Sequence, residues 1–150
     1  MLGGSLHATN IPIRSLSQDR PNRSNGPTFA RCTIADDLGG APFGDVVSYS
    51  DGEPYHGTSI PYFYLTTLDP TARFALKDHR SSFTISEYPL GTCGKIDPEN
   101  PSCSKITLTG KKQNPRRLDI EDIFLIDFYG GPKSVTVDQY FLPENDGRRE

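Results

Sequence analysis

Two segments of this chain alternate without interruption between apolar and polar residues. From Ser82 to Glu87, Phe83 and Ile85 fall on one face and Ser82, Thr84 and Ser86 on the other. From Ser104 to Gly110, Ile106 and Leu108 oppose Lys105, Thr107 and Thr109. A period of two is the pattern of antiparallel strands with one buried face, and no amphipathic helix shares it. Four further segments read as strands. Thr28 to Ile34 is β-prone and ends in the turn-rich Asp36-Asp37-Leu38-Gly39-Gly40. Asp45 to Ser50 runs into the turn signal Ser50-Asp51-Gly52. Ser59 to Thr66 carries apolar groups on both faces, which predicts cover on both sides, and Pro61 belongs near its start because it cannot donate to a ladder. Asp119 to Tyr129 is the longest run, stopped by Gly130-Gly131-Pro132.

Helices are few. Asp69-Pro70 reads as an N-cap followed by proline at the first helical position, opening a helix to about Asp78. Thr136-Val137-Asp138-Gln139 fits a capping box at the start of a second, very short helix. Six strands with so little helix predict a small barrel, in which closure removes exposed edges. The 150 residues suffice for one domain. Residues 1–27 and 143–150 lack periodicity and read as disordered tails around a domain spanning 28–142. The tail contains one glycosylation sequon, Asn22-Arg23-Ser24, which matters only if the chain is secreted.

A net charge of −3 offers no field for nucleic acid or an anionic membrane, and no apolar run is long enough to span a bilayer. The opening Met1-Leu2-Gly3-Gly4-Ser5-Leu6-His7 has neither the positive nor the apolar region of a secretory signal, so this N-terminus taken alone predicts a cytosolic protein. Cys32, Cys93 and Cys103 form no CxxC and join no histidine cluster, which argues against zinc, and Cys32 reads as a small core residue. His7, His56 and His79 are isolated, and Glu53, Asp97, Glu99 and Asp119 sit in turns or at strand ends, so no catalytic arrangement emerges from them. Lys111-Lys112 with Arg116-Arg117 reads as a solvated basic loop between Gly110 and Asp119.

Several segments in one order resemble the CREG family (cellular repressors of adenoviral-early-protein-stimulated genes). They are Gly40-Ala41-Pro42-Phe43-Gly44, Ser50-Asp51-Gly52, Gly57 to Thr66, Asp97 to Cys103, Leu108-Thr109-Gly110, Tyr129-Gly130-Gly131 and Asp138-Gln139-Tyr140-Phe141. The resemblance covers roughly 28 to 142 and implies a six-stranded FMN-binding split β-barrel of Greek-key type, within the pyridoxamine 5′-phosphate oxidase-like superfamily. It also implies a homodimer and a secreted or endolysosomal glycoprotein that has largely given up the flavin and acts through a protein partner. Members of the family resemble this chain on both sides of residues 111–118 but place a helical insert there.

If FMN is bound, the resemblance assigns its phosphate to Thr66 and Thr67 at a strand end and to Arg73 and Lys77 on the following helix, four residues apart on one face. Asp69 between the two pairs opposes an anion. Pro42-Phe43-Gly44 resembles the strand entry near which a flavin ring would lie, and otherwise leads into a strand with Phe43 in the core. In a secreted CREG-like protein, Cys93 and Cys103 would join in a disulfide across the proline-rich loop 94–102, closing a short loop at a gain of roughly 2–3 kcal/mol. The first functional reading is therefore a non-enzymatic binding protein without cofactor. The alternatives are an FMN-dependent oxidoreductase of the pyridoxamine-phosphate-oxidase type and a shortened splice form without activity.

Overall fold

The computed structural model describes residues 29–53, 56–91, 93–114, 117–129 and 131–141. The two expected tails and the Asn22 sequon lie outside the described residues. The strands are β1 (Phe29–Ala35), β2 (Ala41–Val47), β3 (Tyr49–Glu53), β4 (His56–Phe63), β5 (Arg80–Ser86), β6 (Lys105–Asn114), β7 (Arg117–Ile126) and β8 (Lys133–Val135), with helices α1 (Pro70–Lys77) and α2 (Val137–Phe141). All pairings are antiparallel. The order is β2-β1-β5-β6-β7-β4-β3, with β8 added on β7.

The curl follows from this order. β2 and β3 stand at opposite ends of the sheet, yet only Ser48 separates Val47 from Tyr49. The two edges must therefore meet at Ser48, whose carbonyl accepts a hydrogen bond from the Tyr64 N–H at 3.2 Å. The short link at Ser48 curls the antiparallel sheet into a half-barrel, in keeping with the expected split-barrel fold. Phe83, Ile85, Ile106, Leu108, Leu118 and Ile123 fill its interior from β5, β6 and β7, and Val47, Phe63 and Tyr140 close over them. The rings of Tyr49 and Phe63 each meet Phe83 edge-on, with centroids 4.9 Å apart.

The expected boundaries shift in instructive ways. Eight strands form because the expected Asp45–Ser50 strand breaks at Ser48 into β2 and β3, and because β8 pairs with β7. Ser50-Asp51-Gly52 is not a turn but the interior of β3, where the ladder bulges. Pro61 sits within β4, not near its start, inside that same bulge where no regular ladder bond is demanded of it. β4 ends at Phe63, and its two faces differ: Phe63 is buried, while Tyr62 and Tyr64 are exposed.

Residues 111–114 and 117–118 lie in strands rather than in a separate loop. β6 runs on to Asn114 and β7 begins at Arg117, so Lys111 pairs with Asp119 and Lys112 with Leu118 along the ladder. Lys111 on β6 pairs across the ladder with Glu121 at 3.1 Å, and Arg117 pairs along β7 with Asp119 at 3.7 Å. Gly110 makes the bulge in this hairpin possible. A Cβ there would lie 1.8 Å from the Asp119 carbonyl oxygen.

Candidate functional site

The segment from Tyr64 to Lys77 joins the end of β4 to α1 and contains all four candidate flavin-phosphate residues. The sequence sets the helix start locally. Asp69 is the N-cap, its carboxylate accepting from the Thr71 N–H at 2.7 Å, and Pro70 supplies the first helical position. The helix buries Thr71, Ala72, Phe74 and Ala75 against β1 and β2, where Phe74 meets Phe43 edge-on at 5.1 Å. Phe43 is thus half-buried on β2 itself.

Thr66 and Thr67 are exposed in the turn before α1, and Arg73 and Lys77 are exposed on the helix face opposite the core. The electrostatics of the turn disfavour an anion. Asp69 already occupies the Thr71 N–H, and the Thr71 hydroxyl donates to Asp45 at 3.1 Å. Two carboxylates therefore surround the N-terminal end whose dipole would attract a phosphate. Lys77 is bound to the Asp37 carboxylate, which raises the pKa of its ammonium, with Asp36 adding to the effect. Of the donors a flavin phosphate would use here, the helix N-terminus is capped by Asp69 and Lys77 is engaged by Asp37, while Thr66, Thr67 and Arg73 are exposed. Asp69 was legible as an opposing charge. Asp37 and Asp45 were not, because they arrive from β2 and from the turn before it.

Cys93 and Cys103 are joined, with Cα atoms 5.2 Å apart. Cys103 is fully buried. Cys32 corrects the sequence reading: it is a free, exposed thiol. On β1, Thr33 and Ala35 point inward, so the period of two turns Cys32 outward. There it lines a cleft of about 370 Å³ on the outer sheet face with Ile34, Pro42, Ser82, Thr109 and Glu121. No sequence signal marked this cleft, since its walls come from five strands. His79 is exposed, and the described residues hold no group of three metal-ligating side chains. No helix among the described residues is long and apolar enough to cross a membrane.

Comparison with known proteins decides the family. The CREG beta-barrel family matches residues 24–115. This chain belongs to the CREG β-barrel family. The CREG match ends at residue 115, just after the end of β6. Human Protein CREG2 is 31% identical over 134 aligned residues, covering 68% of this chain and 46% of that protein. Human Protein CREG1 is 28% identical over 150 aligned residues, covering 79% of this chain and 68% of that protein. The chain thus spans about half the length of the CREG2 relatives it matches. In fold, this CREG chain is similar to a heme binding protein from Mycobacterium smegmatis (TM-score 0.56, 14% identity, 75% of this chain and 54% of that one). It is likewise similar to protein Atu2129, of unknown function, from Agrobacterium tumefaciens (TM-score 0.55, 18% identity, 77% and 55% covered).

Proposed function

We propose that this chain is a non-enzymatic binding protein of the CREG type, acting on a protein partner as a homodimer in the secretory or endolysosomal route. The observation that carries the reading is the state of α1. Asp69 caps its N-terminus and Asp37 holds Lys77, so a phosphate would meet carboxylates where it needs donors. The Cys93–Cys103 bridge supports an oxidising compartment. Tyr62, Tyr64 and Leu68, exposed at the end of β4 and beyond it, supply apolar surface of the kind that subunits or partners cover.

The absorption spectrum of the purified protein tests the reading. A colourless protein that releases no flavin fluorescence on denaturation is expected. Stoichiometric FMN, lost in the double variant Arg73→Ala with Lys77→Ala, would replace the binding protein with the oxidoreductase. That second reading draws support from Thr66, Thr67 and Arg73, which are all exposed around one turn. Light scattering at micromolar concentration tests the dimer separately, and a monomer mass removes it.

A further inference from the structure

Strand register builds the outer cleft around Cys32. Cys32 stands opposite Gly44 on β2 and Ser82 on β5, and Ser82 stands opposite Thr109 on β6. These neighbours are small. A Cβ added to Gly44 would lie 3.6 Å from the Cys32 Sγ, so the glycine leaves that side of the thiol open. Two residues further along the same face, roughly 7 Å at strand spacing, Arg80 on β5 and Lys111 on β6 are direct partners across the ladder. Like charges placed opposite one another on a sheet repel.

Each cation has a carboxylate of its own. Asp78 accepts from Nε and Nη2 of Arg80 at 3.1 and 2.6 Å, and Glu121 meets Lys111 at 3.1 Å. Both cations are exposed, and ion pairs of exposed groups are weak enough to exchange partners. The charged residues lining the cleft are Arg80, Lys111 and Glu121. The cleft therefore presents two cations, one carboxylate and one free thiol within about 370 Å³, a volume in the range of small-ligand sites.

We propose that this cleft binds glutathione and that Cys32 is its site of attachment. The two carboxylates and one ammonium of the tripeptide match the two cations and one carboxylate of the lining in sign and number, and its sulfur meets the thiol. In the covalent step the Cys32 thiolate attacks one sulfur of glutathione disulfide. A Cys32–glutathione bond forms and the bond between the two glutathione sulfurs breaks. The released glutathione leaves with the electron pair and takes up the proton that Cys32 gave up. Cys32 is thereby oxidised and one glutathione reduced, and a second exchange reverses the step. The site is independent of the partner-binding reading above, since it lies on the outer face of β1, β5 and β6 and not at α1.

Disulfide-exchange kinetics on the full chain test it. Glutathione disulfide is compared with the uncharged hydroxyethyl disulfide, and each rate is divided by that of the urea-denatured, still bridged chain, so that intrinsic thiol reactivity cancels. Peptide mapping should place the glutathione adduct on Cys32, and the folded chain should favour glutathione disulfide at least about threefold. Lys111→Gln should abolish the preference, whereas Glu99→Gln, an exposed control, should not. Glu121→Gln separates recognition from bare charge. It should slow the reaction if Glu121 receives the ammonium, while simple attraction between a cationic surface and an anionic disulfide predicts a faster one. Equal normalised rates for the two disulfides, a preference that Lys111→Gln leaves intact, or a faster reaction in Glu121→Gln overturns the proposal.

Discussion

The phenol of Tyr140 donates a 2.8 Å hydrogen bond to the carbonyl of Ser59, 81 residues earlier in the chain. The bond is buried and joins α2 to the most strained residue of β4. Tyr140 is 8% exposed and belongs to the core cluster. Tyr140→Phe keeps the ring and leaves the Ser59 carbonyl without this donor, at a cost of about 1–3 kcal/mol. Urea unfolding should show a lower midpoint with an unchanged slope. An unaltered midpoint would show that the bond contributes nothing.

Gly110→Ala should be far more damaging. Its Cβ would fall 1.8 Å from the Asp119 carbonyl oxygen and 2.9 Å from the carbonyl carbon, both backbone atoms that cannot swing aside. The β6–β7 bulge would have to open, at a cost of roughly 3 kcal/mol or more. The checking measurement is soluble yield together with the thermal midpoint. A variant that melts like the parent chain contradicts the close approach.

Asp78 should titrate near pH 2. The Arg80 side chain, through paired hydrogen bonds at 2.6 and 3.1 Å, and then the Arg80 N–H, lower its pKa from the ordinary 3.8 to about 2. A depressed carboxyl pKa contributes stability above the unfolded value and loses it as pH falls from 3.8 through about 2. Arg80 is exposed and Asp78 only half-buried, so the effect on unfolding is small and NMR is the suitable probe. Arg80→Ala should return the Asp78 carboxyl midpoint toward 3.8. A midpoint already near 3.8 in the parent chain would refute the pairing.

Cysteine chemistry should separate the three thiols. A maleimide applied to the native protein should label Cys32 alone, because it is exposed while Cys93 and Cys103 are bridged. Peptide mapping should recover the Cys93–Cys103 pair from material made in an oxidising compartment. A Cys32 that resists labelling until denaturation would restore it to the core.

The strands were legible wherever burial is one-sided. Phe83 and Ile85 on β5, and Ile106 and Leu108 on β6, take the inner face as their alternation demands. β4 was harder. Consecutive aromatics at Tyr62, Phe63 and Tyr64 suggested cover on both faces, whereas only the inner face is buried. The candidate phosphate site was legible as a set of residues but not as an electrostatic environment. Spacing places Arg73 beside Lys77 on a helix, yet it cannot show that Asp37, forty residues before Lys77, engages one of them.

The sequence by itself determined the local structure. Asp69 and Pro70 open α1, and the reciprocal bonds of Thr136 and Gln139 at 2.9 and 3.2 Å open α2, because caps need only neighbouring residues. The periods of β5 and β6 are local for the same reason. Only the tertiary structure decided where the sheet edges meet at Ser48, that Cys32 faces outward, and that Asp51 and Ser59 share a bulge held by Tyr140. Those outcomes depend on register and curl between strands distant in the chain. A one-residue shift in register moves every side chain to the other face, and no local pattern records that choice.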